Sequence, residues 1–178
     1  HGVALKEIRA DEKHPMNHTE TPTDGLYTFD TNRLLCVSVA DCCGVVLWND
    51  DVMCAVHSGW KGTQQNIVSA MIDVVESRGI SPRMLNVWLS PCATKRSYIV
   101  RSDVANYFPN HVQQVGDDQF LFDNHGAIRE QVLERGVDSA SITVCDECTM
   151  ESYEYHSHRR DRDNAGRMAV FIGRSDGR

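Results

Sequence analysis

Residues 34–62 read LLCVSVADCCGVVLWNDDVMCAVHSGWKG, and this alternation of apolar runs and turn residues decides the fold. The apolar runs cover residues 34–40, 45–48 and 52–56. Short β-rich runs bounded by turn residues are typical of strands. We therefore predict three strands, the last two forming a hairpin around the polar turn at 49–51.

The rest of the chain combines segments with helical periodicity and short apolar runs typical of strands. After Gly62 the apolar residues recur every three or four positions up to Val75, which predicts a helix of roughly four turns that ends at Gly79. We predict a further helix that Asp123 caps. Shorter segments extend the pattern, namely strands at 86–89, 120–122, 141–144 and 168–172 and a short helix at 102–108. The sequence thus predicts a mixed α/β (α+β) fold, with central β-sheets flanked by helices in one domain.

Composition narrows the class of protein. The 178 residues are 41% hydrophobic and 24% charged, which is typical of a soluble globular chain. A net charge of −7 argues against a nucleic-acid partner. No apolar run reaches the length of a membrane span, and the chain does not open on a signal peptide. Its seven cysteines are an odd number, and several lie within apolar runs. We therefore expect free thiols and a cytoplasmic protein, with no membrane partner.

Cys42 and His57 each lie where a predicted strand stops. A thiolate and an imidazole at one place can hold a transition metal, or can act as nucleophile and base. Alternatively, Cys42 is a small buried apolar residue and His57 a hydrogen-bonded surface residue. The glycines of the following Gly59-Trp60-Lys61-Gly62 favour close approach of a ligand to the backbone.

Five motifs resemble those of the polyphenol-oxidase (laccase-domain) family, also described as YfiH-type purine nucleoside phosphorylases. They are, in order, His1-Gly2, Ala40-Asp41-Cys42 with His57-Ser58-Gly59-Trp60-Lys61-Gly62, Ser90-Pro91-Cys92, Cys148-Thr149, and His156-Ser157-His158-Arg159-Arg160-Asp161 with Ala165-Gly166-Arg167. The resemblance therefore runs from residue 1 to about residue 172. Family members carry several dozen residues before the first motif, so we expect that the N-terminal part of the family domain is missing here.

The resemblance implies a catalytic zinc held by His1, Cys42 and His57, with copper as the alternative metal. Two imidazoles and one thiolate leave one position of a tetrahedral ion open, which is typical of catalytic zinc. Such an ion lowers the pKa of bound water or polarises a substrate oxygen. Asp41, beside Cys42, is a candidate proton donor at this site.

The same resemblance implies a phosphate site at Lys61, Arg159, Arg160 and Arg167. Guanidinium groups suit phosphate, although the arginines could instead form a surface segment neutralised by neighbouring aspartates. Two departures from the family pattern affect this site. Lys61 replaces an arginine and loses its bidentate geometry, and Ile99 replaces a glutamate.

The implied function is zinc-dependent phosphorolysis of adenosine, inosine, guanosine and methylthioadenosine, with adenosine deamination as a second activity. The partners would be a small-molecule nucleoside and phosphate. The alternatives are a copper-dependent polyphenol oxidase (laccase), a metal-free hydrolase using Cys42 and His57, and a zinc-stabilised binding module without activity. The sequence leaves the oligomeric state open.

Overall fold

The structure is a computed structural model that describes residues 2–9 and 23–175. Its strands in chain order are β1 (Leu5–Glu7), β2 (Gly25–Thr28), β3 (Arg33–Val39), β4 (Cys43–Trp48), β5 (Met53–Ser58), β6 (Asn86–Leu89), β7 (Ile99–Val100), β8 (Val112–Gly116), β9 (Gln119–Phe122), β10 (Ile142–Val144) and β11 (Met168–Arg174).

The helices are α1 (Trp60–Gln64), α2 (Ile67–Ser77), α3 (Ser102–Ala105), α4 (Asn124–Glu134) and α5 (His158–Asp161). Short 3₁₀ turns cover Pro82–Met84, Ser139–Ser141 and Arg162–Asn164. None of the helices in the described ranges is long and apolar enough to cross a bilayer.

The largest sheet has six strands in the order β1-β2-β5-β4-β6-β10. Strands β4 and β5 are antiparallel neighbours, with Val45 opposite Val56, which confirms the predicted hairpin. Strand β4 is the centre of the sheet and is buried on both faces. This is why its sequence is a continuous apolar run rather than an alternating one.

Two apolar layers cover the two faces of this sheet. On one face, α2 and α4 pack through residues such as Met71, Ile72 and Ile128. On the other face lies the two-stranded sheet of β3 and β11, which packs through Leu35 and Val170. The arrangement of helices, large sheet and small sheet confirms the mixed α+β class.

A smaller sheet, β7-β9-β8, packs with α3 beside the main body through its own apolar cluster. Phe108 and Phe122 stack there with ring centroids 4.5 Å apart. Strand β8 was not predicted from the sequence, whereas β9 confirms the strand expected at 120–122. This unit places Tyr98 beside the end of the largest sheet, where the chemistry-bearing residues collect.

The predicted helix after Gly62 is two helices. Asn66 lies between α1 and α2 in the left-handed region, with φ 57°. Asparagine adopts that conformation more readily than most residues. The predicted cap of α4 is confirmed, since the Asp123 carboxylate accepts a 2.8 Å hydrogen bond from the Gly126 N–H.

Candidate active site and a buried thiol–imidazole cluster

A pocket of about 230 Å³ opens at the end of the largest sheet. It lies between the β3–β4 connection, the start of α1, the start of α4 and α5. Its lining residues are Ala40, Asp41, Cys42, Gly59, Trp60, Lys61, Tyr98, Asn124, His158 and Arg159. The pocket therefore brings together Asp41, Cys42, Lys61 and Arg159 from the predicted site residues.

Buried hydrogen bonds fix the floor of the pocket. The Thr63 hydroxyl donates to Asn124 Oδ1 at 2.8 Å, and Asn124 Nδ2 donates to the Ser58 carbonyl oxygen at 3.1 Å. These bonds tie the end of β5 to α1 and to the first residue of α4. Sequence analysis missed Asn124, because an asparagine after a capping residue carries no signal of its own.

Asp41 links the pocket to the C-terminal segment. Its side chain is buried, and φ is 73°, in the left-handed region. One carboxylate oxygen accepts from the Thr149 hydroxyl at 2.7 Å, and the other accepts from the Arg159 backbone N–H at 2.6 Å. Both oxygens thus act as acceptors, and they hold Arg159 at the pocket.

Cys42 lies directly before β4, with its thiol against Gly59. A Cβ at Gly59 would lie only 2.6 Å from Cys42 Sγ, so the thiol occupies space that only a glycine leaves. Burial, followed by the negative charge of Asp41, raises the pKa of Cys42 to about 11. The positive charge of Arg167 opposes this increase, which places Arg167 within electrostatic range of the thiol.

His57 lies in β5, opposite Gly44 of β4, and so at the same end of the sheet as Cys42. Its Nδ1 is 3.7 Å from Asp24 Oδ1. Burial lowers the pKa of His57, although Asp24 partly opposes the shift, so the imidazole is neutral near pH 7. A carboxylate beside Nδ1 favours the tautomer that leaves the Nε2 lone pair for a ligand.

The predicted metal ligand His1 lies outside the described residues. The backbone N–H of Gly2, the next residue, donates a 2.8 Å hydrogen bond to Asp24 Oδ2. Asp24 therefore contacts both Gly2 and His57, which brings the described start of the chain to the imidazole.

Two cations line the pocket on aromatic surfaces. Lys61 Nζ lies 5.5 Å from the centre of the Trp60 ring, and the Arg159 guanidinium lies 5.0 Å from that of Tyr98. Arg159 also donates to the Ile99 carbonyl oxygen at 3.0 Å. Burial raises the pKa of Tyr98 to about 12, so its phenol stays protonated.

The structure does not place Arg160 and Arg167 in the pocket lining. All five N–H donors of Arg160 are engaged, with Asp161 and with the carbonyl oxygens of Thr149, Ser152 and Tyr155. Arg167 is exposed and donates to the carbonyl oxygens of Ala165 and Gly166. Arg160 therefore holds its own segment together.

A second cluster of metal-ligating groups lies in the core. Within the described ranges, Cys43, Cys92 and His125 form the one group of three such side chains whose donor atoms all lie within 4.8 Å of one another. These residues could hold a metal ion. Hydrogen bonds outweigh burial and lower the pKa of Cys43 to about 6, whereas Cys92, hydrogen-bonded to Cys43 and buried, has its pKa raised. Sequence analysis missed Cys43 and His125, because their separation in sequence matches no metal-ligand motif.

A family model described as multi-copper polyphenol oxidoreductase laccase matches residues 1–175. The chain belongs to this laccase family. The resemblance stated from the motifs is thereby confirmed.

Curated relatives of this laccase-family chain carry a different activity in their names. It is 32% identical over 161 residues to the purine nucleoside phosphorylase of Staphylococcus epidermidis, covering 85% of this chain and 60% of the relative. It is also 32% identical over 165 residues to the purine nucleoside phosphorylase YlmD of Geobacillus stearothermophilus, covering 86% and 60%. The chain thus spans about 60% of the length of the curated relatives it matches.

Solved structures show the same fold. The YfiH protein of Bacillus licheniformis, described as hypothetical, superposes with a TM-score of 0.92 at 25% identity, covering 98% of this chain and 72% of that one. YlmD from Geobacillus stearothermophilus gives a TM-score of 0.91 at 28% identity, covering 98% and 71%.

Proposed function

We propose that this laccase-family protein is a purine nucleoside phosphorylase whose reaction takes place in the pocket at Cys42. One observation carries the proposal: the pocket places two cations, two aromatic rings and the Cys42 thiol around one space. The cations suit phosphate, the aromatic rings suit a purine, and the thiol suits a metal ion. The names of the curated relatives support the same activity.

Lys61 and Arg159 would bind phosphate. Both are exposed at the pocket and carry charge that an anion can neutralise. In phosphorolysis a phosphate oxygen bonds to the anomeric carbon of ribose, the bond from that carbon to the purine breaks, and the purine takes up a proton. The two cations would hold the phosphate in line and stabilise its charge.

Arg160 and Arg167 have supporting roles in this proposal. Arg160 keeps the α5 segment folded over the pocket, because its donors are engaged by the chain itself. Arg167 adds positive potential near Cys42. Phosphate contact by either residue remains a prediction of the family resemblance.

Trp60, Tyr98 and Asn124 would bind the nucleoside. Flat aromatic surfaces suit a purine ring, and a side-chain amide can hydrogen-bond to the edge of a base. Asn124 is held rigidly by Thr63 and Ser58, so it would position the base with little loss of side-chain entropy.

The thiol of Cys42 and the imidazole of His57, at the same end of the sheet, are ligand types that suit a zinc ion. The imidazole is neutral near pH 7, and Gly59 leaves the space that the Cys42 sulfur fills. His1 is the third ligand in this proposal, supported by the contact of Gly2 with Asp24. When bound, such an ion supplies Lewis-acid chemistry or activates water. Copper is the alternative metal for the same donors.

Asp41 has a positioning role in this proposal. Because both of its oxygens accept hydrogen bonds from the protein, it holds Arg159 and Thr149 rather than a substrate proton. Proton donation by Asp41 would require breaking one of these bonds.

The substrates that we propose are adenosine, inosine, guanosine and methylthioadenosine, with adenosine deamination as a second activity. We place the reaction in the cytoplasm, on small molecules. All seven cysteines of the chain fall within the described residues and are free thiols, as a reducing compartment requires.

The test is incubation of the zinc-loaded protein with adenosine, with and without phosphate, followed by chromatography. We expect adenine and ribose 1-phosphate in the presence of phosphate, and inosine from deamination. Arg159→Met should abolish the phosphate-dependent product, while Arg83→Met, an exposed arginine away from the pocket, should retain it. Release of adenine without phosphate, or equal effects of the two variants on adenine release, would contradict the proposal.

A second candidate is the phenol oxidation named in the family description. It predicts oxygen consumption with a phenol after copper loading, lost in Cys42→Ser. Oxygen consumption together with no nucleoside cleavage would favour this candidate over the phosphorylase.

A further inference from the structure

The cluster of Cys43, Cys92 and His125 is separate from the proposed active site. Cys42 lines the pocket, whereas Cys43, the next residue, is completely buried against the helical layer. Consecutive residues at a strand end point to opposite sides, so the two thiols face different environments. A ligand in the core cluster would therefore bind independently of the pocket.

Rigid elements hold the donor atoms of the cluster. Cys43 begins β4, Cys92 follows β6, and His125 lies in the first turn of α4. Ser90 joins the two strands, since its backbone N–H donates to the Gly44 carbonyl oxygen and its hydroxyl accepts from the Gly44 N–H, both at 2.9 Å. Donors on such elements are pre-positioned for a ligand.

The three side chains already converge. Cys92 Sγ is 3.2 Å from His125 Nε2, and neither thiol exposes any surface. The Ser90 carbonyl oxygen completes the group, at 2.9 Å from His125 Nε2 and 3.9 Å from Cys43 Sγ. The two sulfurs and the nitrogen thus lie within 4.8 Å of one another, and the oxygen lies beside two of these three atoms.

We propose that Cys43, Cys92, His125 and the Ser90 carbonyl oxygen form a closed, four-coordinate zinc(II) site. Two thiolates and a neutral imidazole balance a divalent ion without residual charge, which a buried site requires. A monovalent ion such as Cu(I) would leave one negative charge in the core. On binding, the two thiol protons leave to solvent, and the imidazole proton that Nε2 donates to the Ser90 carbonyl oxygen is exchanged, through solvent, for one on Nδ1.

Zinc would also serve the Ser90 carbonyl oxygen. In the metal-free structure this oxygen is hydrogen-bonded to the His125 ring. When His125 Nε2 binds the metal through its lone pair, it no longer donates to the Ser90 carbonyl oxygen. That oxygen then binds the ion and is not left unsatisfied. With all four positions filled by the protein, no position remains for substrate, so the role of the site is structural.

A route for the metal exists on the surface. A cleft of about 250 Å³ is lined by His125, Asp123 and Asp146, among other residues. His125 therefore connects the buried sulfurs to solvent. Lys95 and Arg96 pair with Asp123 and Asp146 at this cleft, so it offers the ion access to the imidazole without a net negative charge.

The test uses Co(II) as a spectroscopic probe for zinc in the reduced chain of residues 1–178 carrying Cys42→Ser, which removes the thiolate of the proposed active site. We expect one Co(II) per chain, with thiolate-to-cobalt charge-transfer absorption and the visible bands of tetrahedral Co(II), both displaced by one equivalent of Zn(II). Cys92→Ala in this background should remove about half of the charge-transfer absorption and weaken binding at least tenfold. Cys54→Ala, which removes an equally buried thiol outside the cluster, should leave both unchanged.

X-ray absorption at the zinc edge of the Cys42→Ser protein gives a measurement that does not depend on the folding of Cys92→Ala. Two sulfur neighbours at about 2.3 Å and two nitrogen or oxygen neighbours support the site. One or no sulfur neighbour, no Co(II) uptake by Cys42→Ser, or a Cys43–Cys92 disulfide found by thiol counting would overturn it. Because Cys42 is absent throughout, loss of nucleoside cleavage in this variant has no bearing on the outcome.

Discussion

Thr149 and Asp41 are separated by 108 residues in sequence, and the Thr149 hydroxyl donates a 2.7 Å hydrogen bond to the Asp41 carboxylate in the core. The other oxygen of Asp41 holds the Arg159 backbone. One buried carboxylate therefore ties the β3–β4 connection to the two C-terminal segments that close the pocket. Without it, only the side-chain contacts with Ile99 and Tyr98 would hold Arg159 at the pocket.

Thr149→Val should destabilise the protein by about 1–3 kcal/mol, because it leaves one oxygen of a buried carboxylate without a partner. Urea unfolding followed by tryptophan fluorescence measures the change. Thr149→Ser keeps the hydroxyl and should lose much less. Thr143→Val, at an exposed position of β10, is the matched control. Equal stability of the Thr149→Val and Thr143→Val variants would show that the hydrogen bond contributes nothing.

Gly59→Ala should weaken metal binding at Cys42 without unfolding the protein. The backbone of Gly59 is extended, with φ −77° and ψ 177°, so alanine is compatible with its conformation. The new Cβ would lie 2.6 Å from Cys42 Sγ and displace the thiol. We expect a loss of about 10- to 100-fold in zinc affinity, as for other groups that orient a ligand.

Competition with a chelating dye measures this loss of affinity, with the variants made in a Cys92→Ala background so that the proposed core site does not contribute. Gly116→Ala is the control, because its nearest neighbour is the end of the flexible Gln119 side chain at 3.2 Å. Zinc affinity in Gly59→Ala equal to that in Gly116→Ala would contradict a metal at Cys42.

Local signals in the sequence sufficed for the elements that depend on near neighbours. The apolar runs and the polar turn predicted the β4–β5 hairpin, and the Asp123 cap predicted the start of α4. The break at Asn66 was missed, because a left-handed asparagine leaves the helical periodicity on either side intact. Strand β8 was missed because its sequence, VQQVG, places two valines three positions apart and so lacks the alternation of a strand.

The sequence did not predict which distant segments pack against each other. The last strand pairs with β3, and its Val170 would lie 2.7 Å from a Cβ at Gly44, so this glycine is required by a partner far along the chain. The same limit applies to the site. The family motifs indicated Cys42, Lys61 and Arg159, whereas the convergence of Cys43 with His125 depends on how α4 docks onto the sheet.

Arg159→Lys should affect phosphate binding and Arg160→Lys should affect stability, although the two residues are adjacent. Arg159→Lys keeps the charge at the pocket but loses the guanidinium geometry, so the KM for phosphate should rise roughly tenfold with stability unchanged. Arg160→Lys removes donors to Thr149, Ser152 and Tyr155, so the melting temperature should fall by several degrees. Steady-state kinetics at varied phosphate and thermal unfolding separate the two. Similar profiles for both variants would refute the division of roles.

Asp161 should make stability depend on pH in the acid range. Hydrogen bonds from Arg160 lower the pKa of Asp161 below its ordinary value of 3.8. A carboxylate whose pKa is lowered on folding contributes stability that is fully present above its pKa in the unfolded chain. This stability is lost as the pH falls through the pKa of the folded state. The melting temperature of the wild type should therefore exceed that of Asp161→Asn at pH 7, and the gap should narrow below about pH 4. Asp163→Asn, exposed in the same segment, should show the same small gap at every pH. A gap for Asp161→Asn that stays constant down to pH 3 would mean that its charge does not hold Arg160.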